Sequence, residues 1–186
     1  MIGGAVVDYI KTIAWTLPIL FIFHDFEEII FIKPWIRRNH QYLSVRFPNL
    51  SKKMLPHFDT ITTSAFALGV AEEFMIISAI TVISLATNWY WFWIGMFFVF
   101  TLHLIMHCIQ ALVFRRYIPT IVTSIICLPI CLLIIMKMMK YIPLGTAILN
   151  TAFCLGFVLI NLVIIHKGMD TFSKWQARYE KNGTGI

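Results

Sequence analysis

The chain is poor in charged residues. Only 13% of its 186 residues are Asp, Glu, Lys or Arg, whereas soluble globular domains hold about 25%. Apolar residues make up 59% of the chain and stand in long blocks, not in the short stripes of an amphipathic globular helix. This pattern excludes a soluble globular enzyme and predicts an integral membrane protein.

Cysteine is also scarce, and no nucleic-acid-binding pattern is present. All four cysteines fall inside apolar segments, so we expect small packing residues and no disulfide framework. The net charge is +6, but the basic residues cluster at the ends of the apolar segments. They therefore indicate membrane topology. The cysteines are Cys108, Cys127, Cys131 and Cys154.

Five apolar segments have about the 20 residues that a membrane-spanning helix needs. We predict an all-α, polytopic membrane helical bundle that forms a single domain, 1–186. Because the first segment is long and Asp8 and Lys11 stand at its start, we expect a retained helix and not a cleavable signal. The predicted spans cover roughly 11–32, 60–87, 91–114, 117–136 and 143–166.

The basic residues predict an orientation. Twelve of the fifteen Lys and Arg residues lie in the connection 33–59, the turn at Arg115 and Arg116, or the tail 167–186. Since cytoplasmic loops carry the excess of Lys and Arg, the N-terminus should lie outside and the tail in the cytoplasm. We expect the plasma membrane as the location. If the protein is a transporter, a homodimer would supply the bulk that a chain of this size lacks.

The connection 33–59 mixes aromatic with basic residues. It is interpreted either as a cytoplasmic interfacial segment, with a helix that begins at Pro34 and contacts anionic lipid, or as a solvated basic loop. His40 and His57 in this connection are expected to be solvated. His166, near the cytoplasmic boundary, is given no role.

Three apolar segments carry ionisable residues that are costly inside a bilayer and therefore indicate a functional site. At about 1.5 Å per helical residue, all of them fall roughly 8 to 20 Å from the cytoplasmic boundary. Seven groups from three helices thus share one layer. They are His24, Glu27, Glu28, Glu72, Glu73, His103 and His107.

The spacing within this set suits a metal site. His103 and His107, at i and i+4, present two nitrogens on one helix face, and Gln110 continues that face as a possible hydrogen-bond partner. Four carboxylates in one apolar layer would repel each other without cations. We therefore predict one or two divalent ions, zinc or iron, with Glu27 or Glu73 left to transfer protons.

Two points about this set stay open. Asp25 lies on a different helix face from Glu27, so it either joins the site or faces another helix. A purely structural network of hydrogen bonds between helices would also use such residues.

The motifs resemble those of a known family. His24-x-x-Glu27-Glu28, then Ala71-Glu72-Glu73, His103-x-x-x-His107 and Arg116-Tyr117-x-Pro119, occur in the order seen in the HXXEE family of small integral membrane proteins. That family is named for its motif and not for an activity. The resemblance therefore implies a shared site but no particular substrate.

Three functions are compatible with these residues. The first is a metal-dependent membrane enzyme, hydrolytic with zinc or oxidative with iron, that acts on a lipid or another apolar substrate. Arg115 and Arg116 would then attract a phosphate headgroup or simply anchor the helix ends.

The second is a proton-coupled or cation transporter that uses the same cluster, although no inverted repeat supports it. The third, a glutamate-type intramembrane protease, is disfavoured because Phe74 and Met75 follow Glu73 where that motif would carry an arginine.

Overall fold

The computed structural model describes residues 4–183, and these residues form an all-α fold without strands. Four of the helices, α4 to α7, are long and apolar enough to cross a membrane. The helices are α1 Gly4–Ile13, α2 Thr16–Arg46, α3 Pro48–Thr60, α4 Thr63–Thr87, α5 Trp91–Phe114, α6 Ile121–Met138 and α7 Leu144–Gly183.

Helix α5 lies at the centre of the bundle and packs against α4, α6 and α7, while α2 packs against α3, α4 and α6. The indole Nε1 of the fully buried Trp93 donates to the Ala14 carbonyl over 3.1 Å. Gly95 lets α5 approach α7 closely, because a Cβ at this position would overlap the Cys154 Sγ.

The outer surfaces of α4 to α7 are apolar. Long aliphatic side chains on these helices are more than half exposed, including Leu133, Met136, Leu149, Ile160 and Ile164. Exposure of such a surface to water is unfavourable, whereas contact with lipid hydrocarbon is not. The surface agrees with a membrane protein.

Helix α2 does not break at Pro34, where the sequence predicted a new segment. It continues to Arg46, and α3 follows, so the connection 33–59 is mostly helical. The buried stripe Trp35, Ile36 and Leu43 packs against Leu55, Phe114 and Ile118. Burial of this stripe offsets the cost of about 3 kcal/mol that a proline carries inside a helix.

Helix α7 extends well beyond the predicted end of its span. Its polar part contacts the start of α4: Ser173 Oγ accepts from the Thr62 backbone N–H over 3.1 Å, and Gln176 Oε1 accepts from the Thr62 hydroxyl over 2.9 Å. Met169 packs beside Gly69. These contacts explain why residues 167–183, predicted as a tail, continue the helix.

Candidate metal centre

Three histidines meet inside the bundle. His24 comes from α2, and His103 and His107 come from successive turns of α5. One ring nitrogen of each lies within 4.8 Å of the others. His24 and His107 are buried, whereas His103 is exposed and lines a cavity between the helices. The layer predicted from sequence therefore contains a compact imidazole group from two helices.

Thr123 fixes the orientation and the tautomer of His24. The Thr123 hydroxyl donates to Glu27 Oε2 over 2.7 Å, and its oxygen lies 3.0 Å from His24 Nδ1. Because the hydroxyl has one proton, Nδ1 must be the donor in the second contact. The lone pair of His24 therefore resides on Nε2, which is buried without a hydrogen-bond partner in the described part of the chain.

His107 presents its nitrogen in a similar way. Its Nδ1 donates to Gln110 Oε1 over 3.1 Å, so Gln110 is a hydrogen-bond partner on that helix face, as predicted. Its Nε2, which then carries the lone pair, lies 2.9 Å from the Nε2 of His103. A hydrogen bond on the opposite ring nitrogen is the usual support for a histidine that binds a metal. Two of the three imidazoles have that support.

Glu27 lies behind His24 and at the start of α6. Its carboxylate accepts from the backbone N–H of Thr123 over 2.8 Å and from the Tyr117 hydroxyl over 2.8 Å, besides the Thr123 hydroxyl. Thr123 is the third residue of α6, where backbone N–H groups lack partners within the helix and favour a negative charge. The Thr123 hydroxyl therefore bridges Glu27 and His24, and Glu27 supports that histidine through it.

The other predicted carboxylates separate into two groups. Glu72 accepts a hydrogen bond from Asn161 Nδ2 of α7 over 3.3 Å. Glu28 and Glu73, together with Asp25, line the same cavity as His103. The structure thus groups the three histidines, puts three carboxyl groups on the wall of the cavity that His103 also lines, and directs Glu72 to Asn161. It also answers the open question about Asp25, which faces the cavity.

The cavity has a volume of about 420 Å³ and lies between α2, α4, α5 and α7. This volume is within the range of small-molecule sites. Its walls are largely apolar, and among the described residues no Lys or Arg lines it. Exposed side chains, including Leu102 and Met106 of α5, also line it, so it opens on the outer face of the bundle.

Residues 15–134 match the sequence model described as "Protein of unknown function with HXXEE motif". The chain belongs to the HXXEE family. Comparisons with curated proteins and with solved structures found no match. The family region runs from the start of α2 into α6 and includes the three histidines with Glu27 and Thr123. The motif that names the family thus contains one histidine of the triad and the carboxylate that supports it.

The sequence did not predict a role for Thr123, and it indicated Tyr117 only as part of a family motif. Thr123 is an ordinary hydroxyl residue in an apolar span, and its contact with His24 joins positions 99 residues apart. Tyr117 did have a signal, because it belongs to the Arg116-Tyr117-x-Pro119 run. That run contributes the Tyr117 hydroxyl to the Glu27 carboxylate.

The turn that carries Tyr117 is held by the second half of α2. Trp35 Nε1 donates to the Tyr117 carbonyl over 2.5 Å, and the Tyr42 hydroxyl donates to the Phe114 carbonyl over 2.8 Å. Arg116 donates to Asn39 Oδ1 over 3.2 Å and lies 3.8 Å above the Tyr42 ring. Arg116 is therefore engaged within the protein.

A second polar group lies where the same cavity meets α3. His57 Nε2 is 2.8 Å from the Nδ1 of His166, which lines the cavity, and His57 Nδ1 is 3.6 Å from an Asp170 carboxylate oxygen. The expectation that His57 is solvated is therefore wrong. The helical form of 48–60 and the extension of α7 bring these residues together.

Proposed function

We propose that this HXXEE protein is a metal-dependent integral membrane enzyme that acts on a lipid or another apolar substrate. His24, His103 and His107 hold one divalent ion. The supporting observation is the buried Nε2 of His24, which has no hydrogen-bond partner among residues 4–183 and lies within 4.8 Å of ring nitrogens of the other two histidines. Three protein nitrogens leave a coordination position for water or substrate, as in catalytic zinc sites.

The residues around the triad have separate tasks. Thr123 and Glu27 keep His24 in the tautomer that presents Nε2, and Gln110 does the same for His107. Glu73 and Glu28 face the cavity and accept or return protons during turnover. A bound ion supplies an activated water if it is zinc, or reaction with oxygen if it is iron. A second ion is not needed to explain this arrangement.

We also propose five membrane spans, with α2 as the fifth beside α4 to α7. Its polar residues lower its mean hydropathy, but His24, Asp25 and Glu27, which lie in its apolar half, are buried in the bundle. The N-terminus would lie outside and the tail in the cytoplasm of the plasma membrane. The support is the grouping of twelve of fifteen basic residues on one side.

A cation or proton transporter is the second candidate. It is favoured by the ionisable groups that line the cavity, which are Asp25, Glu28, Glu73, His103 and His166. Such chains of carboxyl and imidazole groups serve as proton relays in membrane proteins.

One experiment distinguishes the two functions. Wild-type protein and His107→Ala would be reconstituted, with zinc or iron, into vesicles of total lipid from the expression host. Mass spectrometry of the lipids should show a product that forms only with the wild type. The same vesicles would be assayed for proton and zinc flux. Metal-dependent flux with unchanged lipids would contradict the enzyme and support the transporter.

A further inference from the structure

The cavity beside the triad contains an unusual carboxyl group. Asp25 is only 4% exposed, lines the cavity and has one oxygen, Oδ2, without a hydrogen-bond partner among the described residues. A buried polar atom without a partner is costly. A bound ligand with a hydrogen-bond donor would supply the missing partner.

Two further carboxyl groups face the same space. Glu28 and Glu73 line the cavity with Asp25, and the three interact electrostatically with one another. Neither Lys nor Arg in the described chain lines this cavity to balance them. A negatively charged headgroup would therefore be repelled, whereas a cation would relieve the repulsion between the carboxylates.

The remainder of the cavity suits a hydrocarbon chain. Aromatic and aliphatic side chains form most of its wall, and its exposed members lie on the outer face of α5 and α7. A lipid-like molecule could thus enter from the bilayer with its polar end toward the carboxyl groups. Residues of this apolar wall include Phe21, Phe66, Val99, Phe100, Val158 and Ile165.

We infer that the cavity binds a single-chain amphiphile with an amine head, held as the ammonium ion by Asp25, Glu28 and Glu73 beside His103. This inference deepens the proposed function by naming the substrate class of the same site, and as a catalytic statement it rests on that function. The binding step itself involves only the cavity and its carboxyl groups.

The test compares three probes with the same twelve-carbon chain: dodecylamine, dodecanol and dodecanoate. Binding of each radiolabelled probe to the protein in phosphatidylcholine nanodiscs would be measured at neutral pH, where the amine is protonated, and corrected with empty nanodiscs. The amine should bind at least about tenfold more tightly than the other two, equivalent to 1.4 kcal/mol. Equal binding of all three, or preference for dodecanoate, would overturn the inference.

Variants of the cavity residues would show which carboxyl groups cause the preference for the amine. Asp25→Asn and, separately, Glu73→Gln should each reduce the preference for the amine, whereas Asp8→Asn, which removes an exposed carboxylate on α1, should not. If either cavity variant fails to fold, the other still tests the site. Unchanged preference in the folded cavity variants would refute the assignment of these carboxyl groups.

The His107→Ala variant separates this inference from the proposed function. Loss of metal with retained amine preference would support the cavity assignment on its own. If neither wild type nor variant held metal but both preferred the amine, the enzyme proposal would fail and the binding inference would stand. Metal bound to the wild type without amine preference would overturn the binding inference and leave the enzyme proposal standing.

Discussion

At the residue scale, the hydroxyl of Thr123 determines how His24 is presented. It joins the ring Nδ1 to the Glu27 carboxylate and leaves Nε2 with its lone pair. Hydrogen-bond partners of metal ligands typically contribute 10- to 100-fold in affinity or activity. Thr123 should therefore affect metal affinity through His24, although it is not one of the three proposed ligands.

We predict that Thr123→Val weakens metal affinity by about 10- to 100-fold, and that Thr123→Ser retains most of it because serine keeps the hydroxyl. Competition with a chelator of known affinity would measure this. The matched control is Thr81→Val, at a fully buried threonine whose hydroxyl donates to the Ile77 carbonyl of its own helix. Equal affinity of the Thr123→Val and wild-type proteins would refute the role of Thr123.

A second prediction concerns the adjacent glutamates of α4. Glu72→Gln should retain the full metal content, because its carboxylate contacts Asn161 and not the triad. His107→Ala should lose most of the metal. Elemental analysis of both variants would test this, and loss of metal from Glu72→Gln would restore that residue to the ligand set.

The site was only partly predictable from the residues. The i, i+4 spacing of His103 and His107, and their common depth with His24, predicted that these rings share one layer. Glu72 and Glu73 could not be assigned, because neighbouring helical positions differ by about 100° and the rotation of α4 depends on its partners. Thr123 could not be found because its contact is set by the position of α6 relative to α2.

At the element scale, the close contact of α5 with α7 depends on Gly95. A Cβ there would overlap the Cys154 Sγ and lie 3.0 Å from Asn150 Oδ1. We predict that Gly95→Ala destabilises the fold by about 1–3 kcal/mol, the usual cost of overpacking. The midpoint of unfolding by sodium dodecyl sulfate in mixed micelles would report it.

Gly156→Ala is the control for that variant. A Cβ at Gly156, on α7, has no neighbour within 4 Å, and alanine is the better helix former. Its unfolding midpoint should equal or exceed that of the wild type. A loss as large as that of Gly95→Ala would mean that the α5–α7 interface does not explain the effect.

The ends of the helices depend on tertiary contacts that local sequence patterns do not contain. The apolar runs predicted the spans of α4 and α5 well, since these helices follow the lipid-facing composition. Pro34 suggested a boundary, yet α2 continues because its buried stripe packs on α3 and the turn at Phe114. The polar residues after His166 suggested a tail, yet α7 continues because Ser173 and Gln176 bond to Thr62.

At the scale of the whole molecule, the topology is open to test. The basic residues predict an external N-terminus and a cytoplasmic tail. A green fluorescent protein fused after Ile186 should therefore fluoresce, because its chromophore matures in the bacterial cytoplasm. Alkaline phosphatase fused at the same position should be inactive, because that enzyme becomes active only outside the plasma membrane. The reverse pattern would place the tail outside and contradict the predicted orientation.

The central claim is that His24, His103 and His107 together hold one metal ion within the bundle. Inductively coupled plasma mass spectrometry would count zinc and iron per chain in protein purified in mild detergent, without chelator and without a polyhistidine tag. We predict about one ion per chain in the wild type, as for a single three-histidine site, and a loss of most of it in each single alanine variant. A wild-type protein that holds no metal and takes up none on reconstitution would contradict the claim, as would full metal content in all three variants.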